Sequence, residues 1–364
     1  MLRRSGAGMG IAIRPLVGDF HAAPHGERAL VHKRERVAAP AFTQPKLKTG
    51  DREVAKVAVT TNATWDDAQP RLSVLTPFLR DDPTALMAAI QDQALRFAIP
   101  IEVVALDDGT GDAPLAEKIT QALQQLAVPA AFVQLSANEG RAAARNRLAQ
   151  FARGRHLLYL DADTIPDRAD FLQAYLEIIE ASDPPLVIGG FSLIQASHAS
   201  RFDLHRAMAT LLDCMPACVR QQTPWRFVYG ANILVRRDVM EATPFNPDYR
   251  AWGWEDQEWG MRVADRWPIL HVDNTVTHMG LDTVGALLDK YAQSGANFQR
   301  ILTDHPDRVR AYPAYKAAQL LRGLPFKTSF RSLAREVALN ERAPMLARTF
   351  AMRLFRVLNY LASY

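Results

Sequence analysis

The chain of 364 residues is 48% hydrophobic and 23% charged, values that exclude wholesale disorder or a fibrous repeat and allow one sizeable core with extensions. Its net charge of +4 conceals three unlike parts: residues 1–50 carry 9 Lys+Arg against 3 Asp+Glu, residues 321–364 carry 8 against 2, and residues 51–320 are acidic at −8. No run of about 18 apolar residues exists to span a bilayer, and Cys214 and Cys218 lack the second pair that a zinc site needs. Residues 1–69 mix Gly, Pro, Ala and basic residues without periodicity, which predicts a basic, loosely ordered N-terminal extension. Within it Arg3 and Arg4 precede only a short apolar stretch broken by Arg14, which does not fit a signal peptide.

From residue 70 the pattern changes. Strands over 72–76, 101–106, 131–135 and 157–160 alternate with helices over 84–98, 113–126 and 141–151. Apolar strands separated by helices predict an α/β domain, with a mostly parallel, Rossmann-like sheet flanked by helices. Residues 227–235 read as a further strand with a glycine break, followed by a helix start at Arg236-Arg237-Asp238 and a strand over 268–272. The catalytic domain is expected over 70–280 and a helical, basic C-terminal region over 281–364. There Leu346, Phe350, Leu354, Val357, Leu358 and Leu361 recur at helical spacing, with Arg348, Arg353 and Arg356 off that stripe. Such a helix fits either the catalytic domain or an anionic leaflet, and the expected location is the cytoplasm or the cytoplasmic face of a membrane.

Ligands of parallel sheets bind beyond the carboxyl ends of the strands. Beyond the second predicted strand lie Asp107, Asp108 and Gly109, and beyond the fourth lie Asp161 and Asp163. In an extended segment Asp161 and Asp163 would share a side, and two carboxylates so close call for a cation between or beside them. A hard divalent ion on a carboxylate and a diphosphate meets that need. Between them, Asn138-Glu139-Gly140-Arg141 opens a helix that continues through Arg145 and Asn146. A helix N-terminus beside arginine favours a phosphate-bearing ligand.

Together, Asp107-Asp108-Gly109, Asn138-x-Gly140, Arg145-Asn146 and Asp161-x-Asp163 resemble the pattern of family 2 glycosyltransferases with the GT-A fold. The resemblance covers about residues 71–280. It implies that Asp107 and Asp108 meet the nucleoside of a nucleotide-sugar donor, that Asp161 lies near the ribose, and that Asp163 binds metal, Mn²⁺ or Mg²⁺, with Asp161 beside it. Further along, Trp252-Gly253-Trp254-Glu255-Asp256 is similar to the acceptor segment of galactosyltransferase-type GT-A enzymes. That similarity implies a catalytic pair, Glu255 and Asp256, with Asp256 as general base. An acceptor hydroxyl must lose its proton as it attacks, so a carboxylate suits the place. Trp252 or Trp254 is the expected sugar-stacking face, with Gly253 between them, and Trp259 is expected in the core. His278 resembles the late metal-binding histidine of several GT-A families.

The implied activity is metal-dependent transfer of a sugar, from UDP by preference and with inversion, to a glycan or lipid-linked glycan. A processive polysaccharide synthase would carry Gln-x-x-Arg-Trp after the Glu-Asp pair together with spanning helices, and this chain has neither. A nucleotidyltransferase would place a glycine-rich loop where Thr76-Pro77-Phe78-Leu79-Arg80 stands. A non-catalytic sugar-nucleotide binding module has no use for Asp256. Nucleic acid is not an expected partner, since the basic ends lack interleaved aromatic residues.

Overall fold

A computed structural model describes residues 55–362, so most of the expected N-terminal extension lies outside the described residues. Sheet structure begins earlier than residue 70. Strand β1 (Val57–Thr61) pairs antiparallel with β4, and Asn62 ties the following turn to the backbone at Leu126, Val128 and Ala130. Then come β2 (Leu72–Phe78), α1 (Thr84–Arg96), β3 (Ile101–Asp107), α2 (Ala113–Gln124), β4 (Ala130–Leu135), α3 (Arg141–Phe151) and β5 (His156–Leu160), close to the expected bounds.

The middle of the chain holds β6 (Thr164–Pro166), α4 (Phe171–Ser182), β7 (Leu186–Ile188), β8 (Phe191–Ser192), α5 (Asp203–Leu212), α6 (Ala217–Arg220), β9 (Asn232–Arg236) and α7 (Arg237–Ala242). It continues with α8 (Glu255–Ala264), β10 (Ile269–His271) and β11 (Val276–His278). Eight strands form one sheet in the order β1-β4-β3-β2-β5-β9-β7-β10. Only β1 and β9 run against the other six, so the sheet is mixed but mostly parallel. The strand expected over 227–235 is shorter, because residues 224–227 form a helical turn and pairing starts only at Asn232.

Alternation along the strands sends side chains to two cores. Val74, Val103, Phe132 and Leu158 face α1, α2 and α4, whereas Leu75, Val104, Val133 and Tyr159 face α3, α7 and α8. A three-stranded sheet, β6-β11-β8, lies past the end of β5. Its register sets His278 opposite Thr164.

Five helices follow: α9 (Val284–Asp304), α10 (Pro306–Arg310), α11 (Pro313–Leu321), α12 (Lys327–Leu339) and α13 (Met345–Ala362). They do not form a separate domain. Leu287, Leu288 and Tyr291 of α9 pack with Ala334, Ala338, Ala351, Met352 and Phe355, and with Leu204 and Met208 of α5. The stripe expected to meet a leaflet along the whole of α13 is divided. Val357, Leu358 and Leu361 are buried against α11, and Arg348 and Arg356 turn inward, while Leu346 and Phe350 stay exposed. No helix among the described residues is long and apolar enough to cross a membrane.

Candidate active site

The carboxyl ends of β2, β3 and β5 and the N-terminus of α3 meet at one side of the sheet. Asp107 ends β3, and its Oδ1 accepts from the Thr110 N–H at 2.8 Å. Asp108 accepts from the Glu139 N–H at 2.8 Å and the Gly140 N–H at 3.0 Å. Gly109, at φ +80°, lets the Ala137–Asn138 backbone lie against it, where any Cβ would collide. The two motifs are therefore halves of one clamp. Asp107 and Asp108 are both buried, and through these bonds they shape the loop that opens α3. Burial pushes the Asp108 carboxyl up to about 6, although both N–H donors pull the other way.

No side chain caps α3 at Gly140. The first amides of that helix therefore have no side-chain partner among the described residues, and the exposed Asn138 and half-exposed Arg141 stand beside them, an arrangement that suits an anion.

Asp161 and Asp163 do not lie in an extended strand. A turn closes between them, with the Thr164 N–H donating to the Asp161 carbonyl at 3.1 Å. The turn separates their tasks: Asp161 Oδ1 sits 3.3 Å from Arg145 Nη2, while Asp163 Oδ2 sits 3.3 Å from His278 Nε2. Among the described residues no three of His, Cys, Asp and Glu come together as a ready metal group.

A carboxylate oxygen and an imidazole nitrogen are nevertheless a fitting half-set for a divalent ion whose other ligands are diphosphate oxygens and water. The space is kept open as well, because a Cβ at Gly280 would fall on Asp163 Oδ2. Burial, and after it the charge of Asp161, lifts the Asp163 carboxyl above its ordinary value, and His278 counters them. Replacing Gly280 by Ala is therefore expected to displace the Asp163 carboxylate and weaken Mn²⁺ binding at least ~10-fold, the range seen when metal ligands lose their support. Manganese titration followed by electron paramagnetic resonance checks this, with circular dichroism unchanged.

Arg145 joins the two sides of the cleft. It emerges from α3 wholly buried and sits 3.3 Å from Asp161, 3.1 Å from Asp256 and 3.9 Å from Glu255. Burial opposes its charge, yet Asp256, Asp161 and Glu255 together hold its pKa above the ordinary guanidinium value. Arg141 also lies 3.9 Å from Glu255, so two cations meet three carboxylates and an excess of negative charge remains. Glu255 relieves it: burial first and Asp256 second raise its carboxyl above the ordinary range. Glu255 Oε2 has no hydrogen-bond partner, which fits a neutral acid better than a buried anion.

Asp256 is held from the other side by the Gly230 N–H, 2.7 Å from Oδ2. Its side chain keeps 16% of its surface in solvent, the opening a hydroxyl would use. Asn146 completes the link, since its amide exchanges two hydrogen bonds with the Phe245 backbone at 2.8 and 2.9 Å.

The three tryptophans have three different settings. Trp259 is fully buried, stacked on Phe245, and donates to the Thr243 carbonyl at 2.7 Å. Gly253 and Trp254 form a left-handed turn, at φ +83° and +78°, that starts α8 and sets Glu255 and Asp256 in its first turn. Trp254 is enclosed by Phe298, Tyr312 and Tyr360, so it offers no free face to a sugar, contrary to the expectation for it. Trp252 is half-buried beside Tyr291.

Two groups escaped the sequence reading. Asp81 follows β2, and burial first and the charge of Asp163 second lift its carboxyl above the ordinary range. The rule about strand ends would have found it. Lys290 reaches the same field from α9 while holding Asp282 at 2.6 Å, and nothing local in the sequence marks it.

A mostly parallel sheet with acidic strand ends, and a carboxylate pair at a later helix start, has the architecture of the GT-A fold. Residues 73–243 match the model of glycosyl transferase family 2. The mannosyltransferase PcManGT of Pyrobaculum calidifontis, solved with GDP-Man and Mn²⁺, superposes with a TM-score of 0.51 at 16% identity, covering 81% of this chain and 88% of that one. TarS residues 1–349 of S. aureus, solved with UDP-GlcNAc, gives 0.46 at 16% identity, covering 80% and 90%. No curated protein matches the chain in sequence.

Proposed function

We propose that this protein moves a hexose from a nucleotide diphosphate, UDP by preference, to a hydroxyl of a glycan or lipid-linked glycan, with inversion at the anomeric carbon. The observation that carries the proposal is the single guanidinium of Arg145, which bonds Asp161 on one side of the cleft and Asp256 on the other. Both carboxylates therefore lie within reach of one guanidinium, which supports placing donor and acceptor side by side. In the reaction the acceptor oxygen forms a bond to the anomeric carbon, the bond from that carbon to the diphosphate breaks, and the hydroxyl proton passes to Asp256. Arg141 and the first amides of α3 would hold the diphosphate, and Asp161 the ribose. Asp163 and His278 would hold Mn²⁺ or Mg²⁺, which offsets charge growing on the leaving diphosphate. Peripheral attachment to a cytoplasmic leaflet would bring the enzyme to a lipid-linked acceptor.

A screen of nucleotide sugars for diphosphate release, with Mn²⁺, Mg²⁺ or EDTA, tests this reading. Release from one donor class is expected, abolished by EDTA and reduced at least ~100-fold in Asp163→Ala, the loss of several kcal/mol of metal assistance. Turnover indifferent to EDTA would remove the metal, and no release from any donor would remove the transfer itself.

A further inference from the structure

Helices α12 and α13 form an antiparallel hairpin. Its seam is made of Ala334 and Ala338 against Ala351, Met352 and Phe355, and the Arg348 Nε–H donates to the Ala338 carbonyl at 3.1 Å. Small residues at the seam bring the helices close and account for the apolar faces turned inward. They do not account for the apolar residues turned outward.

Phe326, Phe330 and Leu333 follow one another at i, i+4 and i+7 at the start and along one side of α12, with 78%, 38% and 55% of their surfaces exposed. Leu346 and Phe350, at i and i+4 on α13, are 82% and 66% exposed. So many large apolar residues left to water on two adjoining helices mark an interaction surface.

Charge identifies what covers it. Lys327, Arg331, Arg335, Arg342 and Arg353 stand on the same hairpin, and none forms an ion pair among the described residues, while Glu336 and Glu341 are the only acids there. A second copy meeting this face would bring two strongly basic segments together. An anionic surface would instead neutralise them while phenylalanine rings entered the acyl boundary.

We infer that the α12–α13 hairpin docks the protein on an anionic bilayer, with Phe326, Phe330 and Phe350 inserted and the surrounding cations on lipid phosphates. This gives the peripheral attachment proposed above a particular surface, and it differs from the stripe along α13, half of which is buried. Attachment of this kind has two parts that separate in experiment, an apolar part insensitive to salt and a Coulombic part that salt screens.

Flotation of the full chain with phosphatidylcholine vesicles, with and without phosphatidylglycerol, tests the inference. Binding to the anionic vesicles is expected to exceed binding to neutral ones at least ~10-fold and to fall as salt rises. The triple variant Phe326→Ser, Phe330→Ser, Phe350→Ser should lose at least ~10-fold of that binding, as buried apolar area predicts, with unchanged circular dichroism and diphosphate release in solution. Arg331→Gln with Arg335→Gln and Arg342→Gln should flatten the salt dependence. Equal flotation of the triple variant would overturn the proposal. A concentration-dependent dimer, abolished by the triple variant and without affinity for vesicles, would overturn it in favour of self-association. Failure here leaves diphosphate release untouched, so it is distinguishable from failure of the glycosyltransferase reading.

Discussion

Substituting Asn for Asp256 is expected to lower kcat ~10²- to 10⁴-fold, the usual contribution of a positioned general base, with little change in donor binding. Asn keeps the shape and can still accept from the Gly230 N–H. It cannot take a proton from the acceptor. Glu255 does not substitute for it, being buried at 3% exposure and held above the ordinary carboxylate range by that burial. Single-turnover kinetics with a saturating donor would check the claim. A kcat within a few fold of the parent would remove Asp256 from proton transfer, and a raised donor KM with kcat intact would give it a binding role instead.

Arg145→Met should destabilise the fold by about 3–5 kcal/mol, because removing one partner of a buried ionic cluster leaves the others uncompensated. Asp161 and Asp256 would face one another without their shared cation, and Glu255 would lie beside them. The sign of the pH dependence follows. The Glu255 carboxyl, already raised by burial and by Asp256, would rise further without Arg145, so its share of the deficit is full above that raised pKa and shrinks as pH falls through it. Arg145→Lys should recover little, since a single ammonium cannot reach carboxylates on both sides of a planar fork. Thermal unfolding across pH measures both variants, and a Met variant as stable as the parent at neutral pH would dismiss the argument.

Much of the donor side was legible in the sequence because it is built from neighbours in sequence. The strands and helices from Leu72 to Leu160 announce themselves by period and by glycine or aspartate at their ends. Direction is another matter: the apolar residues of β9 are equally compatible with either orientation, and only pairing with β5 and β7 reveals that it runs backwards. The short strands β6, β7 and β8 carry too few residues to show a period. Asp108 was legible as important but its partners were not, since the N–H groups it receives come from a loop that the sheet brings back to it. Trp254 read as a surface aromatic because the rings enclosing it, Phe298, Tyr312 and Tyr360, lie far downstream. Asp256 was found by resemblance, whereas its tie to Asp161 through Arg145 depends on distance in space alone.

The aromatic enclosure of Trp254 bears on how the enzyme comes into being. The turn presenting Asp256 is walled in by Phe298 of α9, Tyr312 beside α11 and Tyr360 of α13, with Arg356 lying over the indole. During synthesis the donor half can close soon after β5 leaves the ribosome, while the turn behind the base waits for the last turns of α13. A nascent chain would thus complete the β2–β5 core first and the wall behind Asp256 last.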